Sequence, residues 1–135
     1  KFESGGGGLV ATARDYLRFS QMMLNGGELD GVRILSPKTV QLMTTNHIGD
    51  LPMGFGRTGA GFGLDFGVVL DPGAVGEVSS AGEYNWGGAA GTRFWIDPQE
   101  KMIGLFMVQS IPHRTRLAGD FKVLAYQAMT ESYGD

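Results

Sequence analysis

Glycine supplies 23 of the 135 residues, and no other feature restricts the chain so strongly. Average usage is roughly 7%, so the share here is more than twice the ordinary one. Glycine lacks a Cβ, reaches backbone conformations closed to other residues and loses the most freedom on folding. With only five prolines and no period of three, neither collagen nor a flexible linker fits this composition. The glycines stand among eight Phe, two Trp and seven Met. That setting implies tight turns and close backbone approach inside a packed fold. The chain opens at Lys1 and runs almost at once into Gly5–Gly8, which reads as a start inside a fold.

The length fits about one domain, at roughly 100–200 residues per domain. Eleven basic against fourteen acidic residues give a net charge of −3, with no basic excess to neutralise phosphates, so nucleic acid is not an expected partner. The longest apolar run, Met102 to Val108 with Gly104 inside it, falls far short of the roughly 20 residues of a membrane helix. No leader pattern of charged then apolar residues opens the chain. The absence of cysteine excludes disulfides and thiolate metal sites and fits either redox compartment.

Local patterns give an order of elements. Thr12 with Asp15 three residues on has the shape of a capping box, and Tyr16, Leu17, Phe19, Met23 and Leu24 follow at roughly helical spacing. Asn25-Gly26-Gly27 supplies the stop. Glu28 to Leu35 reads as a hairpin around Asp30-Gly31. Ser36-Pro37 opens a second helix ending near Asn46. Residues 47–61 read as loop, Phe62–Leu70 as one strand, and Asp71-Pro72-Gly73 as its turn. Three further strands are expected at Glu83–Gly88, Gly91–Ile96 and Met102–Gln109, with Asp97–Glu100 as the turn between the last two. A final helix is expected over Arg114–Glu131, its stripe of Leu117, Phe121, Leu124, Ala128 and Met129 facing the sheet. The fold class is therefore α+β: an antiparallel sheet packed by helices and closed by a C-terminal helix.

Most chemical motifs fail their context. Gly54-Phe55-Gly56-Arg57-Thr58-Gly59 matches the dinucleotide spacing, but no strand precedes it and no helix opens after it, so it reads as a glycine-rich loop. The two histidines, His47 and His113, show no ligand spacing, and neither a metal nor another cofactor is expected. There is no Gly-x-Ser-x-Gly elbow, and none of Ser4, Ser20, Ser36, Ser79, Ser80 or Ser110 has lysine three places on. No tyrosine opens a Tyr-x-Asn or Tyr-x-Ser motif. Alone, the chain carries no complete catalytic set. The informative stretch is Tyr84-Asn85-Trp86-Gly87-Gly88-Ala89-Ala90-Gly91-Thr92. A strand carrying Gly87 and Gly88 has a face stripped of side chains, open either to a ligand or to another backbone; a glycine bend in a purely structural sheet is the competing reading.

Ser4-Gly5-Gly6-Gly7-Gly8-Leu9-Val10, Thr12 to Gly27, Gly31 to Lys38, and Trp86-Gly87-Gly88-Ala89-Ala90-Gly91-Thr92-Arg93-Phe94-Trp95-Ile96-Asp97-Pro98 together resemble the serine β-lactamase-like family. The likeness is greater to its class C and family VIII esterase branch, which includes relatives of the penicillin-binding proteins. It spans nearly the whole chain and belongs to the C-terminal part of that fold. The resemblance implies that residues 1–135 are a single C-terminal fragment of the domain. The Ser-x-x-Lys nucleophile and a tyrosine motif would lie upstream of Lys1, so this chain alone would be inactive.

The family's Lys-Thr-Gly or His-x-Gly strand matches Trp86-Gly87-Gly88. Tryptophan there lacks the cationic or hydrogen-bonding group that helps hold a β-lactam carboxylate, and the esterase branch often carries Trp-Gly-Gly. The resemblance therefore implies a serine hydrolase of small carboxylic esters acting through an acyl-enzyme, with weak β-lactam hydrolysis. The catalytic contribution of this chain would be the backbone N–H of Ala89 as an oxyanion-hole donor. Trp86, Gly87 and Gly88 would bind substrate, with Tyr84, Asn85 and Phe62 as pocket neighbours. The alternative is a non-catalytic relative that binds acyl or peptide ligands in the same cleft. The family closes its sheet with strands from the N-terminal region, so an open edge is expected here. Its partner would be the missing N-terminal portion or a second copy of the chain.

Overall fold

A computed structural model describes residues 4, 7–54 and 57–134. Gly5 and Gly6 of the opening glycine run, and Phe55 and Gly56 of the 54–59 motif, lie outside the described residues.

Helix α1 (Ala13–Leu24) starts as its sequence dictates. Thr12 Oγ1 accepts from the Asp15 N–H at 3.2 Å, and Asp15 Oδ2 accepts from the Thr12 N–H at 3.0 Å, so two otherwise orphaned donors are satisfied reciprocally. At its end the Gly27 N–H reaches the Met22 carbonyl at 2.8 Å. Strands β1 (Glu28–Leu29) and β2 (Val32–Arg33) form the expected hairpin. Asp30 and Gly31, with φ of 53° and 77°, make the tight turn that matches strand twist. Helix α2 (Pro37–Met43) is capped by Ser36, whose Oγ accepts from the Thr39 N–H at 3.0 Å, and it stops at Thr44 rather than near Asn46.

The expected strand Phe62–Leu70 is two strands. β3 (Ala60–Phe62) and β4 (Gly67–Val69) pair antiparallel, with Phe62 opposite Gly67. The chain reverses between them, where the Gly63 N–H donates to the Phe66 carbonyl at 2.8 Å and Asp65 takes φ 67°. Asp71-Pro72-Gly73 opens a short helix, α3 (Pro72–Val75), instead of a simple turn: the Asp71 carboxylate accepts from the Gly73 and Ala74 N–H groups, and proline fits the first helical position. Strands β5 (Tyr84–Gly87), β6 (Arg93–Asp97) and β7 (Met102–Phe106) follow in the expected order, β6 beginning two residues late and taking in Asp97, and β7 ending at Phe106 rather than Gln109. The sheet order is β3-β4-β5-β6-β7 with every neighbouring pair antiparallel.

One face of this sheet carries the apolar core. Phe66, Val68, Tyr84, Phe94 and Ile96 pack there with Met22 and Met23 of α1 and Val40 of α2. Rings of Tyr16 and Phe94 lie 5.1 Å apart. The other face takes helix α4 (Leu117–Gln127), shorter at both ends than the expected Arg114–Glu131. Its orientation keeps part of the expected stripe on the sheet, where the Phe121 ring meets those of Trp95 and Phe106, each at a centroid separation of 5.7 Å, and turns other members away. Leu117, Leu124 and Ala128 are exposed and Phe121 is only partly covered, whereas Ala118 and Lys122 are buried. The sheet face beneath is not uniformly apolar: it presents Glu83 and Asp97, both fully buried, and the helix turns its polar residues towards them.

Candidate functional site

Strand β5 leads into the turn that the sequence singled out. The Gly88 N–H donates to the Thr92 carbonyl at 2.8 Å, and the Gly91 N–H closes a turn on the Gly88 carbonyl at 3.0 Å. Gly91 holds φ 91°, and a Cβ there would collide with the His113 ring. A Cβ on Gly88 would stand 2.5 Å from Thr92 Oγ1. Trp86, 43% exposed, meets the Phe62 ring edge-on at a centroid separation of 5.2 Å.

A cavity of about 990 Å³ opens beside this strand. Asn85, Trp86, Gly87, Gly88 and Phe62 line it, together with Ile48, Leu51, Pro52 and Met53 from the loop before β3 and Ala118, Gly119 and Lys122 from α4. Five of the seven residues expected at the site are thus brought together. Tyr84 is not among them: it is 2% exposed and sits in the core against Phe66, where burial pushes its phenol well above its usual range. Ala89 lies exposed in the turn, outside the lining, and its N–H has no hydrogen-bond partner among the described residues.

Beneath α4 runs a buried polar network that the sequence reading missed. Lys122 Nζ donates to Glu83 Oε1 at 2.7 Å and stands 3.8 Å from Glu77 Oε2. The Tyr126 hydroxyl lies 3.0 Å from Glu83 Oε2 and 2.7 Å from Asp97 Oδ2. Ser80 Oγ donates to the same Asp97 oxygen at 2.7 Å, and the Asn85 amide donates to Glu83 Oε1 at 3.2 Å. At the other end Arg93 binds Glu77 at 2.6 Å. Burial pushes the Glu83 carboxyl above its usual range, against the opposing pull of Lys122 and Tyr126. Burial, then Asp97 and Glu83, drives the Tyr126 phenol far upward. Burial also raises Glu77, but the Arg93 hydrogen bond and charge, aided by Lys122 and Arg57, outweigh it and hold this carboxyl below its ordinary value. A lysine on an amphipathic helix ordinarily reads as solvent-facing. The one local signal was its i, i+4 spacing between two small or aromatic neighbours, Ala118 and Tyr126.

Among the described residues no cluster of His, Asp and Glu is placed to hold a metal ion, and no helix is long and apolar enough to cross a membrane. His47 Nε2 contacts the Leu42 carbonyl at 2.7 Å, while His113 packs on Gly91 at the cavity.

The profile of the β-lactamase family matches residues 1–127. The chain belongs to the β-lactamase family. Its α+β fold, with an antiparallel sheet between helices, is that of the serine-hydrolase superfamily in which β-lactamases and related esterases stand. Over 123 residues the chain is 41% identical to Protein Rv1367c of Mycobacterium tuberculosis, covering 82% of this chain and 30% of that protein. It is 31% identical over 110 residues to an Escherichia coli O157:H7 protein provisionally named a D-alanyl-D-alanine carboxypeptidase, covering 82% of this chain and 24% of the other. Among solved structures it superposes on EstCE1, a hydrolase with promiscuous acyltransferase activity, with TM-score 0.76 and 25% identity, over 93% of this chain and 32% of that one. This β-lactamase-family chain therefore spans less than a third of the length of these relatives.

Proposed function

We propose that residues 1–135 form the C-terminal segment of a serine hydrolase of the class C and family VIII esterase branch, acting on small carboxylic esters. The observation that carries this reading is the Trp86-Gly87-Gly88 strand, which lines the large cavity with two residues that have no side chain. Elsewhere in the protein a Ser-x-x-Lys serine attacks the ester carbonyl, its proton passing to the lysine and tyrosine of the same machinery. The alcohol leaves with a proton, and water then hydrolyses the acyl-enzyme to release the acid and free the serine. The Ala89 N–H, unpartnered among the described residues, is one donor to the developing oxyanion. Such a donor is worth about 10²–10³ in rate. Trp86, backed by Phe62, walls the acyl side. A tryptophan offers no charge to a carboxylate, which favours esters over β-lactams. The remaining polypeptide also covers the free edge of β7 and the exposed stripe of α4, a second copy being the other occupant.

The test uses the full-length protein and p-nitrophenyl esters of graded acyl length. Gly88→Val crowds Thr92 and fills the floor; ester turnover should fall at least about 10²-fold with the circular dichroism spectrum unchanged. Unaltered turnover in that folded variant would remove the strand from the site. Trp86→Ala should widen acyl-length preference while leaving Tm within a few degrees, as expected for a residue 43% exposed. A lowered Tm with unchanged preference would mark Trp86 as packing only.

A further inference from the structure

The polar network under α4 has no part in the reaction proposed above, yet it joins two walls of the cavity. Lys122 is 2% exposed and Glu83 fully buried. Withdrawing two ionisable groups from water is costly, and well-packed apolar residues often replace such a pair at no loss of stability. Helix α4 has apolar side chains available in Leu117 and Leu124, but it leaves them outside. What a charged contact adds to an apolar one is direction, because a hydrogen-bonded Nζ–Oε1 pair tolerates little sliding.

Both ends of the pair bear on the site. Lys122 lines the α4 wall beside Ala118 and Gly119. Glu83 immediately precedes β5, three residues before Trp86, and holds the Asn85 amide on that strand. Through Glu77 the network reaches Arg93, the cross-strand partner of Gly87.

We infer that Lys122 and Glu83 are positioning residues: their buried contact sets the Trp86–Gly88 strand against α4 and so fixes the width of the cavity that receives the ester carbonyl. The inference rests on the hydrolase reading. A reacting group misplaced by about 1 Å costs about 10²-fold in rate, so a modest slip of this strand is expected in kcat before it is seen in folding.

The experiment labels the full-length protein with 5-fluorotryptophan, identifies the Trp86 resonance by its loss in Trp86→Phe, and compares Lys122→Met and Lys122→Arg with wild type. Val40→Ala, in the core on the opposite face of the sheet, serves as a control for general destabilisation. Lys122→Met should displace the Trp86 resonance and lower kcat at least about tenfold with KM changed less than about threefold. Lys122→Arg should restore both, and Val40→Ala should move neither. Should Lys122→Met fail to fold, the double variant Lys122→Met/Glu83→Met removes both charges together and is read in its place. An unmoved Trp86 resonance, with activity falling only in proportion to the unfolded fraction, overturns the inference and leaves the pair as a fastening of the helix. Absence of ester turnover in wild type would instead sink the hydrolase reading, and the Trp86 resonance would still decide whether the pair places the strand.

Discussion

Two glycines show how single atoms constrain this molecule. Gly104 on β7 faces the fully buried Trp95 on β6, and a Cβ there would enter the indole. Gly104→Ala should therefore cost about 1–3 kcal/mol, the usual range for overpacking, read as a lowered urea midpoint with unchanged m. Gly91 is constrained twice, by φ 91° and by the His113 ring; Gly91→Ala should destabilise at least as much and expose His113, seen as faster modification of that imidazole by diethylpyrocarbonate. At the start of α1, Thr12→Ala removes one half of a reciprocal cap and should lower stability by about 1 kcal/mol. Caps and glycine turns of this kind are legible from sequence because the interacting groups lie within a few residues of each other. Trp86, Gly87, Gly88, Asn85 and Phe62 line one cavity: the bare Gly87-Gly88 strand is a local pattern open to a structural bend as well, and the grouping of these residues came with the family resemblance. Tyr84 falls outside that grouping, because whether a strand residue faces core or cavity depends on what packs from above.

At the scale of elements, two expectations differ from the fold for different reasons. Helix α4 docks through Phe121 of the expected stripe, set against Trp95 and Phe106, but also through Ala118, Lys122 and Tyr126, because Glu83 and Asp97 wait beneath it. These partners stand 39 and 29 positions away in the chain for the bonds they make, so no periodicity within residues 114–131 could reveal them. The Phe62–Leu70 strand failed more locally. Its apolar alternation runs on through Gly63 and Asp65, where the Gly63 N–H to Phe66 carbonyl bond and the φ of 67° at Asp65 reverse the chain. The Arg93–Glu77 contact gives the network a pH signature. Glu77 ionises more readily in the fold than its ordinary value of 4.5, so its contribution to stability is complete above that pH and disappears as the pH falls from 4.5 through the lower folded value. Glu77→Gln should accordingly lower Tm at pH 7 and have progressively less effect in acid. An equal loss at pH 7 and pH 3 would mean that the carboxylate charge is not what Arg93 uses.

For the whole molecule, the unmet surfaces matter as much as the core. β7 ends the sheet with its outer backbone groups unpaired among the described residues, and Leu117, Leu124 and Ile111 stand exposed nearby in the chain. Open edges and apolar stripes recruit other chains. Prepared as this 135-residue chain alone, the molecule should therefore show a light-scattering mass above 14.4 kDa that rises with concentration. Leu117→Lys/Leu124→Lys should return it towards the monomer, and a mass fixed at 14.4 kDa at all concentrations would refute the expectation. The pairing of Trp95 with Gly104 bears on how such an edge is presented. A two-residue slip would set the indole against Met102 or Phe106, where a side chain already fills the space, and a one-residue slip would reverse which side of β7 meets the core. The β6–β7 hairpin thus rejects its own misalignments, and any strand that later joins β7 finds an edge whose phase has already been chosen.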